Sequence, residues 1–158
     1  GKKFKTNLAI VKSVVSSNEK RKLLLIKRLK EILHGKLKNK TITFLGVTFK
    51  PNTDDMRESS SLLMIPYLSK NGAIVRYYDP SGEKNEFKKL KNVKYFRNIQ
   101  SACLNSDLIV LHTEWNDFKL LNFKKIVKNN KFKLFDLRNI YSPSKMKKLN
   151  IDYYGIGR

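Results

Sequence analysis

Cysteine is nearly missing from this sequence: Cys103 stands alone among 158 residues. One thiol can form no internal disulfide and cannot supply a multi-cysteine metal site, which suits a reducing, cytoplasmic setting. Histidine is almost as scarce. Only His34 and His112 are present, far apart in sequence, so a histidine-based metal centre has little material. Long apolar runs are also missing. None approaches the roughly 20 residues that span a bilayer, and Gly1-Lys2-Lys3-Phe4-Lys5 leads into a polar, periodic stretch unlike the core of a signal peptide. The first residue is glycine, not methionine, and is read as an end inside a longer protein. Acidic residues number 13 against 34 lysines and arginines, leaving a net charge of +21. Such an excess can signal nucleic acid or an acidic membrane surface. Here it is nearly all lysine, spread through every segment and often beside asparagine, as in Lys128-Asn129-Asn130-Lys131. Arginine, the residue suited to bidentate phosphate and base contacts, is scarce. The bias is therefore read as solvated surface, with neither a membrane nor a nucleic-acid partner.

What is present is globular composition, 41% hydrophobic and 11% aromatic, in a length that fits one domain with a real core. Residues 1–35 pattern as helix. Val11, Val15, Asn18, Lys22, Leu25, Leu29 and Ile32 alternate spacings of four and three, which puts them on one face. Leu23-Leu24-Leu25-Ile26 makes the middle apolar on more than one side, an expectation of two neighbours, another chain being a candidate for one. Ser16-Ser17-Asn18-Glu19 has the capping-box pattern, where the helix is expected to restart. Gly35 is a plausible stop.

Beyond it, strands alternate with helices. Thr41–Val47, Ala73–Tyr78, Val93–Tyr95, Asp107–His112 and Lys133–Leu137 read as strands, and Ile151–Tyr154 as an edge strand. Helices are expected over Ser61–Lys70, shortened or kinked at Pro66, and over Ile99–Leu104, Trp115–Val127 and Ser144–Leu149. This alternation predicts a Rossmann-like, mainly parallel sheet with helices on both faces, preceded by one long helix. The division is a helix over 1–36 and a domain over 37–158. Ligands of such sheets sit beyond the carboxyl ends of the strands, so function is sought in the loops 47–60, 79–82, 112–116 and 137–141.

The loop Leu45-Gly46-Val47-Thr48-Phe49-Lys50-Pro51-Asn52-Thr53-Asp54-Asp55-Met56-Arg57-Glu58-Ser59-Ser60 follows a buried strand and opens a helix. Backbone N–H groups and the helix dipole favour an anion at such a place, and Lys50 and Arg57 add fixed charge. It is neither a G-x-G-x-x-G fingerprint nor a P-loop. On physics alone, an anion site and a capped surface loop are equally good readings.

The same segment resembles the G-x-x-F-K-P-x-T-D-D-x-R-E-S signature in the C-terminal domain of the UDP-glucose/GDP-mannose dehydrogenase family. Tyr78-Asp79-Pro80, Thr113-Glu114-Trp115, Asp136-Leu137-Arg138-Asn139 and the tail Tyr153-Tyr154-Gly155-Ile156-Gly157-Arg158 resemble four further motifs in the family's order. The last two favour the members acting on UDP-glucose. Val14, Asn18 and Lys22 resemble a pattern in the family's linking helix, which also supports a dimer.

That resemblance implies oxidation of UDP-glucose to UDP-glucuronate with two NAD⁺. The family's catalytic cysteine, its lysine and the G-x-G-x-x-G domain lie N-terminal to this region, and none of those motifs occurs here, so no catalytic residue is assigned and the chain alone is expected to be inactive. Carried over by position, Phe49, Lys50 and Arg138 meet the UDP-sugar, and Arg57 faces NAD, which is bound mainly by a domain outside this chain. The plain alternatives are a solvated Lys50, an Arg138–Asp136 salt bridge, and Arg57 paired with Asp54, Asp55 or Glu58. Those acids are read as loop-ordering and helix-capping groups, Cys103, Trp115 and Phe118 as core, and His112 as a structural histidine. Competing readings are a stand-alone nucleotide- or polyanion-binding module and a lysine-rich nucleic-acid binder.

Overall fold

The structure, a computed structural model, describes residues 9–157. Six strands, β1 (Thr41–Leu45), β2 (Ile74–Tyr78), β3 (Val93–Tyr95), β4 (Leu108–Leu111), β5 (Lys133–Asp136) and β6 (Asp152–Gly155), form one sheet in the order β3-β2-β1-β4-β5-β6. Every neighbouring pair is parallel. The order reverses between β1 and β4, so the loops leaving these two strands flank the switch point of the sheet.

Side chains alternate across each strand and feed two cores. Ile42 and Phe44 of β1, Val75 and Tyr77 of β2, and Leu108 and Val110 of β4 face one side. They meet Met64, Ile65 and Leu68 of α2 (Ser61–Lys70) and Ile26, Leu29, Ile32 and Leu33 from the long helix α1 (Ala9–Ile32) and its C-terminal turn. Leu45, Ile109, Leu111 and Leu134 face the other side. There they meet Cys103 of α3 (Ile99–Cys103), Phe123 and Val127 of α4 (Phe123–Val127) and Met146 of α5 (Pro143–Lys148). Burial on both faces is why the central strands β1, β4 and β5 are largely apolar.

Only the C-terminal half of α1 is covered. Leu29 and Ile32 are buried, while Val11, Val14 and Val15 stay exposed on the same stripe. Lys133 Nζ donates to the Ile32 carbonyl at 2.7 Å, and the Arg28 guanidinium stands over the Tyr154 ring. The helix ends at Ile32, and His34, left-handed at a φ of 51°, turns the chain so that the Gly35 N–H reaches the Lys30 carbonyl at 2.8 Å. The first eight residues of the expected helix lie outside the described residues.

Three local expectations need correction. The helix does not restart at Ser16; α1 runs through, and Glu19 pairs with Lys22 at 2.8 Å. The expected helix over 115–127 is split into a 3-10 turn, Asn116–Phe118, and α4. Asn122 causes the split by accepting a hydrogen bond from the Lys125 N–H as an N-cap, while the Tyr141 hydroxyl accepts from the Leu121 N–H and donates to the Phe118 carbonyl. The stretch after β2 is not wholly surface, because Lys84 is buried against Ser81 and Asp79. The helix with Pro66 is short, ten residues, and continues past the proline.

Candidate functional site: a cationic cleft at the sheet's carboxyl edge

The loop after β1 begins with Gly46 at a φ of +74°, its N–H donating to the Tyr78 carbonyl at 2.8 Å. A Cβ at this position would stand 2.6 Å from Thr113 Cβ, so the ends of β1 and β4 close up only around glycine. The next two amides, Val47 and Thr48, donate to Asp79 Oδ2 at 2.7 and 3.3 Å. In a dinucleotide-binding turn such amides would face phosphate. Here they are spent on the protein's own buried carboxylate, which also has the Lys84 ammonium 4.0 Å from Oδ1. The residues present therefore do not form a dinucleotide phosphate cradle at this turn.

Beyond Thr48 the loop is tied down from within. The Phe49 N–H donates to the Asp55 carbonyl, and the hydroxyls of Ser59 and Ser61 both donate to the Val47 carbonyl. Arg57 donates from its backbone, Nε and NH2 to the Asp55 carboxylate, and these hydrogen bonds lower the Asp55 pKa to about 2. Asp55 thus orders the loop, whereas Glu58 pairs with Lys22 of α1. None of the three acids caps α2, whose N-cap is Ser60 with no side-chain cap bond. Arg57 itself is 90% exposed and lies outside the cleft lining.

Arg138, just past β5, ties three loops together. Its Nε donates to the His112 carbonyl and its NH2 to the Phe49 carbonyl, each at 2.9 Å. The Nε also lies 2.8 Å from a carboxylate oxygen of Glu114, the guanidinium's ion partner. Asp136, the partner proposed from sequence, accepts instead from the Arg138 backbone N–H, the Tyr141 N–H and the Tyr153 hydroxyl.

His112 directly follows β4 and is buried, its Nε2 2.9 Å from Ser60 Oγ and its Nδ1 3.1 Å from Thr113 Oγ1. Burial pushes its pKa down to about 3, with the Arg138 charge acting in the same direction. Cys103 is buried on the opposite face of the sheet, and burial pushes its thiol up to about 12, so it is core rather than nucleophile. Phe118 is fully buried and Trp115 packs against the same cluster.

Together these loops and α1 enclose a cleft of about 420 Å³. Phe49, Lys50, Glu58, Ser59, Ser60, His112, Leu137 and Arg138 line it from the sheet, and Asn18, Arg21, Lys22 and Leu25 from α1. Four cations, Arg21, Lys22, Lys50 and Arg138, face one carboxylate, Glu58. Lys22 bridges Glu19 and Glu58, at 2.8 and 2.7 Å, and these hydrogen bonds raise its pKa. Lys50 and Arg21 form no ion pair among the described residues. Such a cleft attracts anions. Phe49, Lys50 and Arg138 are brought together in it. The α1 residues, the Ser60–His112 pair and Glu114 were not picked out as site residues from sequence, although Ser60, His112 and Glu114 all sit in loops that follow strands.

The sheet order defines a Rossmann-like class of domain, with a cation-lined cleft beside its switch point. Residues 43–143 match the model of the UDP-glucose/GDP-mannose dehydrogenase family, UDP binding domain, and the chain belongs to that family. UDP-glucose 6-dehydrogenases of Rickettsia prowazekii and Rhizobium meliloti are 38% and 36% identical to it, each over 97% of this chain. The chain spans about a third of the length of these curated relatives, 36% and 35%, and corresponds to their C-terminal part. Among solved structures, a UDP-glucose dehydrogenase from Pyrobaculum islandicum superimposes with a TM-score of 0.77 at 26% identity, covering 98% of this chain and 33% of that one. A UDP-D-ManNAc dehydrogenase from Pyrococcus horikoshii gives 0.76 at 25% identity, over 98% of this chain and 35% of its own.

Proposed function

We propose that this chain is the nucleotide-sugar-binding part of a UDP-glucose 6-dehydrogenase, which oxidises UDP-glucose to UDP-glucuronate with two NAD⁺. The observation that carries the reading is the convergence of Lys50 and Arg138, from loops after β1 and β5, on one cationic cleft. In this reading Lys50 neutralises the diphosphate, Arg138 holds the nucleotide sugar, and Phe49, exposed at the rim, packs against it. The His112 and Phe49 carbonyls, which accept the Nε and NH2 protons, fix the guanidinium with the Glu114 charge beside it, so less side-chain freedom is lost on binding. NAD is held mainly by an N-terminal domain outside this chain, with Arg57 at the edge of that site. Asp55 keeps the Arg57 fork pointed along the loop. The chain works as a cytoplasmic homodimer through α1 and catalyses nothing alone, because it lacks the hydride acceptor's domain and a usable thiol.

Calorimetry at fixed salt tests the site. Two or three charge-assisted contacts of about 1.5–3 kcal/mol each, less the entropy of association, give UDP-glucose or UDP an affinity on the order of millimolar. Lys50→Ala should abolish it and Lys128→Ala should not. Equal loss in both, with salt removing all binding, would leave only general attraction to a +21 chain. NADH production by the pure chain that survives Cys103→Ala would sink the claim of inactivity.

A further inference from the structure

The hydrogen bonds beneath the cleft have a direction that can be deduced. Thr113 Oγ1 lies 2.9 Å from the Thr48 carbonyl, which can only accept, so the threonine's single hydroxyl proton is committed there. The 3.1 Å contact between Thr113 Oγ1 and His112 Nδ1 then requires a proton on Nδ1. A buried imidazole beside a guanidinium is neutral and has one ring proton. Nε2 is left with its lone pair, and Ser60 Oγ, 2.9 Å away, must donate to it. Ser60's proton is now used, and its oxygen offers the cleft lone pairs alone.

Because Ser60 lines the same cleft as Lys50 and Arg138, an acceptor-only oxygen stands beside a set of cations. The two surfaces select different parts of a ligand. Phosphate oxygens are drawn to the cations and repelled by Ser60, whereas a neutral hydroxyl finds in Ser60 the one partner type it needs to donate to. We propose that Ser60, oriented by His112 and Thr113, is a substrate-positioning residue that accepts a hydrogen bond from a sugar hydroxyl of the bound nucleotide sugar. This rests on the cleft being the nucleotide-sugar site and adds to it a contact for the uncharged part of the ligand. His112 acts through Ser60, as the group that turns the hydroxyl.

The test is a titration of the chain with UDP-glucose, UDP and inorganic pyrophosphate, in wild type, Ser60→Ala, Ser60→Thr and Lys50→Ala. Ser60 makes no side-chain cap bond to α2, so its alanine variant removes little besides the His112 contact. Ser60→Ala should weaken sugar-bearing ligands roughly fivefold, the worth of one neutral hydrogen bond, and leave pyrophosphate unchanged. Ser60→Thr should recover most of the loss. A deficit confined to UDP-glucose assigns the hexose, and an equal deficit for UDP assigns the ribose. Nitrogen-15 NMR of His112 should show Nδ1 protonated and an Nε2 resonance that shifts in Ser60→Ala. Equal weakening of pyrophosphate, unchanged binding of all three ligands, or a wild-type ring protonated at Nε2 would each overturn the assignment. Full pyrophosphate affinity in Lys50→Ala strikes the cleft reading instead, a different result from any of these.

Discussion

His112 is neutral inside the folded protein, and that has a measurable cost in acid. Its folded pKa is depressed to about 3 by burial and by Arg138, while in the unfolded chain it titrates near 6.5. Below that value the unfolded state binds a proton that the native state refuses, so stability falls with pH, by about 1.4 kcal/mol per unit at most. Urea unfolding between pH 6.5 and 5, above the carboxylates' range, should show this slope, and His112→Asn should flatten it. Cys103, pushed up to about 12, should react with a thiol reagent only as the chain unfolds in urea. At this scale Lys50 and Arg138 were legible because their motifs place them after strands. The partner of Arg138 was not: Asp136 is two residues away in sequence, but Glu114, from the neighbouring strand's loop, reaches the guanidinium. Lys84 was hidden for the same reason, since a lysine buried against Ser81 looks in sequence like its solvated neighbours.

Elements were readable where apolar periodicity ran long enough. The central strands β1, β4 and β5 declared themselves because both their faces are covered, and α2 survived its proline as a short helix. The segment after β4 was read as one helix, but a tyrosine hydroxyl and an asparagine cap, each specified by tertiary position, divide it. Asn122→Ala should cost about 1 kcal/mol through loss of that cap, read from urea unfolding, with Asn130→Ala, at an exposed position, as an unrelated surface comparison. Asparagine's abundance has a use at this scale. Asn39, Asn52, Asn92, Asn105, Asn139 and Asn150 all hold positive φ at turns, where asparagine is tolerated better than most residues. Gly46 is the stricter case. Gly46→Ala adds left-handed strain to a 2.6 Å approach to Thr113, and thermal or urea unfolding should register a loss of about 2–4 kcal/mol. The same clash should displace Thr113 from Thr48 and so blunt the cleft as well as the fold.

At the scale of the whole molecule, α1 is the unfinished part. Val11, Val14 and Val15 continue its buried stripe into open solvent, the kind of surface that drives association. Sedimentation should show self-association that Val15→Glu weakens without lowering the melting temperature, since Val15 is already 57% exposed. A monomer at high concentration for both proteins would count against the dimer. The stripe itself was legible from its three-and-four spacing, but where its cover ends was not, because that depends on how far the sheet extends beneath it. Mechanically, α1 is a cantilever. It is clamped at Leu29, Ile32 and Leu33, overhangs the sheet, and is propped near Asn18 and Arg21 by the Lys22–Glu58 ion pair. The cleft accordingly has one rigid jaw, built from strand ends, and one sprung jaw whose stiffness depends on an ion pair that salt weakens. Ionic strength should therefore set the gape of the cleft as well as the attraction of its charges, and a ligand gripped by both jaws would damp the bending of the helix along its whole free length.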